Sequence, residues 1–175
     1  LKYAIDIPII KKMTDNVLTF HGPKELEKEL VKYNYKKSLV FQPISVSDQL
    51  SIAGTTISFC KTKHSTPCYA MKVIRNHKTL VYTADTEYSE EIIEFANGAD
   101  LLLIESTMLE KDYYDNSGHL TPRLAATMAQ KANVKQLLLT HVWPHYNPNL
   151  LVEEAKEYYK GPITVAESGQ EYHLL

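Results

Sequence analysis

Cysteine is nearly absent from this 175-residue chain: Cys60 and Cys68 are its only two. Two thiols cannot staple a small secreted fold, so both are expected to be reduced, and zinc ligation by either is disfavoured. Long hydrophobic runs are missing as well. No apolar stretch approaches the roughly 20 residues that a membrane-spanning helix needs, and no segment reads as a signal peptide. Nor is there an excess of one charge: 19 Lys and Arg stand against 21 Asp and Glu, a formal net charge of −2. That balance argues against a broad nucleic-acid-binding face and leaves room for a local basic patch. Internal repeats, low-complexity tracts and linkers are lacking too. The expectation is a cytoplasmic protein without a membrane segment. A hydrophobic share of 44% and a charged share of 23% over this length suit one domain, residues 1–175, around one sizeable core.

What is present is a rhythm of short strands and helices. Leu1 to Ala4 reads like the end of a helix that began earlier, so the chain is expected to be part of a longer protein. Ile5 to Ile10, around Pro8, leads toward an edge strand, and Val17 to Phe20 forms a second strand. Gly22-Pro23 predicts a helix with proline at its first position and Leu26, Leu30 and Tyr33 on one face. Leu39-Val40-Phe41 is a strand, and from Gln49 the pattern turns to β. Thr55 to His64 alternates, with Ile57 and Phe59 on one side and Thr56, Ser58 and Cys60 on the other. Cys68 to Ile74 and Thr79 to Tyr82 are strands joined by a turn at Arg75 to Lys78, which makes His77 a turn residue. His21, near a helix start, and His173, near the chain end, read as structural or surface residues.

After Asp85 the order becomes β/α. Ser89 caps a helix that runs to about Ala96 and stops at Gly98. Leu101 to Ile104 is a buried strand ending at Glu105. A polar loop up to Gly118 follows, then a helix capped by Thr121-Pro122 with Leu124, Ala125, Met128 and Ala132 inward. A strand over Val134 to Thr140, a helix near Asn149 to Tyr159 and a strand over Ile163 to Ala166 complete the chain. One α+β domain with helices covering its sheets fits this order.

Three strand ends carry metal-ligating side chains: His64, Asp85 and His141. Imidazole and carboxylate held at strand ends suit zinc, and one aspartate can bridge two cations with its two oxygens. A two-metal site of that kind generates a hydroxide near neutral pH and clamps a leaving oxygen. Isolated histidines at strand ends are also often plain hydrogen-bonded groups, so the spacing alone leaves both readings open.

The order of five segments resolves this toward a family. They are His64-Ser-Thr-Pro-Cys-Tyr-Ala-Met-Lys-Val, Tyr82-Thr-Ala-Asp85-Thr, Ile104-Glu105-Ser-Thr, Gly118-His119-Leu-Thr before Ala125-Ala126, and Leu139-Thr140-His141. Taken together they resemble the metallo-β-lactamase superfamily in its ribonuclease Z-like branch, over nearly the whole chain. The resemblance implies an αββα sandwich. It implies that His64 binds a first metal, that Asp85 bridges both metals and takes part in catalysis, and that His141 completes the shell of the second. His119 resembles the non-ligand histidine of the family's His-Ser-Thr stretch near the scissile phosphate, with Leu120 in place of the Ser. The resemblance implies a catalytic residue that donates a proton or a hydrogen bond to a phosphate oxygen, the alternative being that it only fixes the loop before the helix. Glu105 matches the Glu of the His-Glu-Ala-Thr stretch, with support of the loop its weightier role.

Two departures stand out. The family's His-x-His-x-Asp-His string is absent from these residues. It lies in the family just ahead of a segment like Leu1 to Lys12, so it is expected upstream of Leu1, with the remaining ligands of two zinc ions. The interval from His64 to Asp85 is filled by two strands and a turn, with no room for a tRNA-gripping arm. The expected function is therefore a zinc-dependent hydrolase acting through a zinc-bound hydroxide on a small phosphodiester or RNA end. A homodimer is left open. Hydrolysis of a thioester or lactone by the same fold, or a degenerate non-catalytic fragment, are the alternatives. Trp143, His145 and Tyr146 either line the pocket or pack as a loop.

Overall fold

Leu101-Leu102-Leu103-Ile104 and Leu137-Leu138-Leu139 are apolar on every residue, the pattern of strands covered on both faces. A computed structural model, which describes residues 17–32 and 39–174, places both at the heart of a seven-stranded sheet. Its strands are β3 (Gln49–Ile52), β4 (Thr55–Lys61), β5 (Tyr69–Arg75), β6 (Lys78–Tyr82), β7 (Leu101–Glu105), β8 (Leu137–Thr140) and β9 (Ile163–Val165), side by side in chain order. β3 to β6 pair antiparallel, and β6 to β9 pair parallel. The switch follows from the connections. Asn76 and His77 both have positive φ, +49° and +62°, the two-residue turn whose twist suits a hairpin between β5 and β6. After β6 each link carries a helix that returns the chain to the same end of the sheet, which gives parallel pairing.

Three helices form one layer against this sheet. Helix α2 (Glu90–Ala96) begins where the Ser89 hydroxyl accepts from the Ile92 N–H and buries Ile92, Ile93 and Ala96. Helix α3 (Pro122–Lys131) begins at Thr121, whose hydroxyl accepts from the Leu124 N–H, with proline in the first turn. Its buried face is mostly small, Ala125, Ala126, Met128 and Ala129, so it lies close over β7 and β8. Helix α4 (Pro148–Lys156) starts at Asn147 and buries Leu151 and Ala155. α3 touches both α2 and α4. Ile92, Ile104, Met128, Leu137, Leu139 and Leu151 are fully buried between sheet and helices, each worth about 1.5–3 kcal/mol of burial. This is the mixed architecture expected from the sequence.

The chain divides into two compact units between Ser45 and Val46. In the first, β1 (Leu18–Gly22) pairs parallel with β2 (Leu39–Pro43), Leu18 opposite Leu39. Pro23 lies one step outside the helical turn rather than first within it. A 3₁₀ turn over Lys24–Leu26 leads into helix α1 (Glu27–Val31). His21 sits within β1, opposite Gln42. The expected edge strand at Ile5 to Ile10, the helix end at Leu1 to Ala4 and Tyr33 lie outside the described residues. Among the described residues, no helix is long and apolar enough to cross a membrane.

Candidate metal centre

Four loops at the same end of the sheet carry the chemistry, and each is fixed by its own hydrogen bonds. β4 ends at Lys61, three residues short of His64. Thr62 continues it by donating its N–H to the Cys68 carbonyl at 3.1 Å, which closes the His64 loop. The Lys63 N–H donates to the Thr86 hydroxyl (3.2 Å), and the Glu87 N–H donates to the Lys63 carbonyl (2.8 Å). The His64 loop is thereby laced to the loop that follows β6. In that loop Ala84 adopts φ +53° immediately before Asp85. His141, the residue after β8, has φ +55°. A non-glycine residue in this region costs about 1–3 kcal/mol, and such strain collects at functional sites.

These loops bring His64, Asp85, His119 and His141 together. Asp85 Oδ2 lies 4.0 Å from His64 Nε2, and Asp85 Oδ1 lies 3.6 Å from His141 Nδ1. His119 sits between the other two imidazoles, its ring centroid 5.1 Å from that of His64 and 5.3 Å from that of His141. Both carboxylate contacts are too long for hydrogen bonds. The contact between Asp85 Oδ2 and His64 Nε2 falls within the span of a cation placed ~2.0–2.2 Å from each partner. Among the described residues, Asp85, His119 and His141 form a group whose ligand atoms all lie within 4.8 Å of one another. Geometry therefore draws His119, which the sequence reading keeps off the metals, as close as the expected ligands.

The imidazoles are oriented from behind. His64 Nδ1 is 2.9 Å from the Gly118 carbonyl. A carbonyl only accepts, so Nδ1 carries the hydrogen and Nε2 presents its lone pair toward Asp85. Gly118 has φ +77°, and a Cβ there would stand 3.1 Å from His64 Nδ1. Only glycine meets both demands. The Gly118 N–H donates to Glu87 Oε1, while Lys63 Nζ pairs with Glu87 Oε2 at 3.0 Å. The Lys63 ammonium, with the Gly118 N–H behind it, holds the Glu87 carboxyl below its ordinary range.

Glu105 is fully buried and collects four donors. Oε1 accepts from the Thr86 N–H (3.1 Å) and from His119 Nδ1 (2.9 Å); Oε2 accepts from the Leu120 N–H (3.0 Å) and the Thr107 hydroxyl (2.8 Å). It supports two loops, as the sequence suggests, and it also holds His119 directly. The segment before His119 is anchored at Glu110, which accepts from Arg123 Nη2 (2.6 Å) and from the Thr121 hydroxyl (2.7 Å). Glu154 accepts the Glu110 N–H, and burial pushes the Glu154 carboxyl up. Beyond His141, Trp143, His145 and Tyr146 form a ring cluster, with Trp143 and Tyr146 stacked 6.1 Å apart. The Trp143 N–H donates to the Thr107 carbonyl (3.1 Å), and the Tyr146 hydroxyl donates to Asp112 (2.6 Å). This cluster is tied to the loop that follows β7, with Trp143 exposed.

Sequence alone yields Thr107 and Gly118 only as parts of the quoted segments, with no role at the site, and yields no role for Glu87. The alternation of an extended segment was the available signal for Thr107, since it places Thr107 on the side of Glu105. Gly118 carried its signal only as part of a loop, and Glu87 carried none.

The donor set is two oxygens of one carboxylate and up to three imidazoles, which suits zinc and similar divalent ions. Two four-coordinate ions would require more donors than these four residues supply.

Residues 4–142 match the family model described as a beta-lactamase superfamily domain. The chain is 33% identical over 174 residues to the probable metallo-hydrolase YhfI of Bacillus subtilis, covering 97% of this chain and 69% of that protein. It is 36% identical over 107 residues to the ribonuclease Z of Archaeoglobus fulgidus, covering 59% of this chain and 35% of that enzyme. The chain thus spans about a third of that ribonuclease Z. Among solved structures, the metallo-beta-lactamase fold protein YhfI superposes with a TM-score of 0.88 at 29% identity, over 97% of this chain and 69% of that one. The short form of human tRNase Z superposes with a TM-score of 0.68 at 18% identity, over 93% and 70%; at that identity the likeness is one of fold.

Proposed function

The chain belongs to the metallo-β-lactamase superfamily, in its ribonuclease Z-like branch, and on that premise we propose a metal-dependent phosphodiesterase acting on a small phosphodiester or an RNA end. The observation that carries the proposal is the two-sided carboxylate: the two oxygens of Asp85 face two different histidines, His64 and His141. In this reading His64 and Asp85 would hold one ion, and Asp85 and His141 would hold the other. Bound zinc supplies an activated water near neutral pH and neutralises charge on the phosphate.

The protein's own groups do the rest. His119 is held through Nδ1 by Glu105, which leaves Nε2 to give a hydrogen bond or a proton to a phosphate oxygen. Gly118 and Glu87 hold the His64 and His119 loops at fixed separation. The β5–β6 hairpin occupies the whole interval between the His64 and Asp85 loops, so substrate selection by an arm inserted there is excluded, and a small phosphodiester is favoured over tRNA.

The test is turnover of bis-p-nitrophenyl phosphate by protein expressed from its complete coding sequence and loaded with zinc. Hydrolysis that a chelator abolishes and added metal restores is the expected result. Hydrolysis of thioesters or lactones with none of the phosphodiester overturns the substrate class.

A further inference from the structure

We propose that Thr107 is the positioning residue for His141: its hydroxyl fixes the tautomer and direction of that imidazole and ties it to the carboxylate that holds His119. The inference rests on the reading of His141 as a metal ligand only for its consequence, and its first readout needs no metal.

Thr107 is buried, and its one hydroxyl lies 2.8 Å from Glu105 Oε2, 2.8 Å from His141 Nδ1 and 3.3 Å from His119 Nδ1. A hydroxyl has one hydrogen to give and two lone pairs to receive. Glu105 is an acceptor on every side, with backbone N–H groups from Thr86 and Leu120 and the His119 Nδ1–H already aimed at it. The remaining partner of Oε2 is Thr107, so the Thr107 hydrogen goes to Glu105. Oγ1 is then an acceptor toward His141, and His141 Nδ1 must carry the hydrogen. Asp85 Oδ1, at 3.6 Å, is beyond hydrogen-bond reach of that nitrogen. Nε2 of His141 is left as the free lone pair, the form an imidazole needs to bind a cation.

The backbone points the same way. His141 sits at φ +55°, a conformation that persists only where its neighbours over-determine it. Residues 106–107 supply the hold. The Ser106 N–H donates to the Thr140 carbonyl (2.8 Å) and the Trp143 N–H donates to the Thr107 carbonyl (3.1 Å), so main-chain bonds bracket His141 on both sides. The side chain of Thr107 then takes the ring between them. One buried pair, Glu105 and Thr107, thus orients two imidazoles of the site, His119 directly and His141 through a hydroxyl.

The experiment is long-range ¹H–¹⁵N correlation of the histidine rings in metal-free protein, comparing wild type, Thr107→Val and Thr107→Ser. Valine keeps the volume and removes the hydroxyl; serine restores it. Wild-type His141 is expected as the Nδ1–H tautomer, Thr107→Val is expected to lose that preference, and Thr107→Ser is expected to keep it. Zinc affinity, measured by competition with a chromophoric chelator, should fall roughly 10–100-fold in Thr107→Val and recover in Thr107→Ser, the size typical of outer-shell losses. An Nε2–H tautomer of His141 in wild type overturns the proposal without any variant. So does a Thr107→Val protein with the wild-type tautomer. The expected tautomers with no zinc binding by any of the three proteins leave Thr107 in its role and overturn the metal reading instead.

Discussion

Asp85→Asn is expected to lower turnover of bis-p-nitrophenyl phosphate by roughly a hundredfold or more, because the site loses a ligand outright. The two oxygens of Asp85 face His64 Nε2 and His141 Nδ1 from opposite sides. An amide of the same shape has one oxygen and one NH₂, and the NH₂ is a donor that cannot ligate a cation. Whichever way it turns, one side of the proposed bridge would be gone and the remaining side uncharged. Steady-state kinetics with metal analysis of the same samples reads the result. Near-normal turnover with normal metal content would place the chemistry somewhere other than Asp85.

His119→Ala is expected to keep its metal and lose about 10²- to 10⁴-fold in rate, the range typical of a general acid. The loss should be greatest with a poor leaving group, which needs the proton. The structure sharpens this test. His119 lies within the same 4.8 Å group as Asp85 and His141, so position alone does not separate a proton donor from a ligand. The carboxylate of Glu105, which fixes His119 Nδ1 at 2.9 Å, leaves Nε2 free for either role, so the metal content of the variant is what separates them. Loss of zinc together with activity would make His119 a ligand or a loop anchor, and full rate on a poor leaving group would remove it from the mechanism.

The strand ends were legible because apolar runs stop where the chain must turn. Leu137 to Leu139 marks β8, and His141 follows at once. The caps at Ser89 and Thr121 were legible for the same local reason: a short hydroxyl side chain ahead of an apolar helix face. Boundaries were less so. β4 ends at Lys61 rather than at His64, because its pairing with β5 ends at Tyr69 and only the Thr62 bond to Cys68 carries it further. The turn at Pro23 begins as 3₁₀, a choice that hydrophobic spacing does not encode.

The four chemical side chains and the loop support Glu105 were named from the sequence, but the supporting roles of Thr107, Gly118 and Glu87 were not. Glu105, Thr107 and His141 meet across 36 positions of chain because β7 and β8 pair in parallel register, with Glu105 opposite Thr140. That contact is a product of topology, and no local pattern announces it. The same holds for Gly118 against His64, whose loops follow β7 and β4, with β5 and β6 between them in the sheet.

The central claim is that His64, Asp85 and His141 hold divalent metal. It is tested most directly by anomalous diffraction at the zinc edge from crystals of protein purified without chelators, expressed from the complete coding sequence. The account predicts two peaks flanking Asp85, one ~2.0–2.2 Å from His64 Nε2 and one at the same distance from His141, with one carboxylate oxygen toward each. Peaks absent from both places, or metal bound away from Asp85, would contradict it.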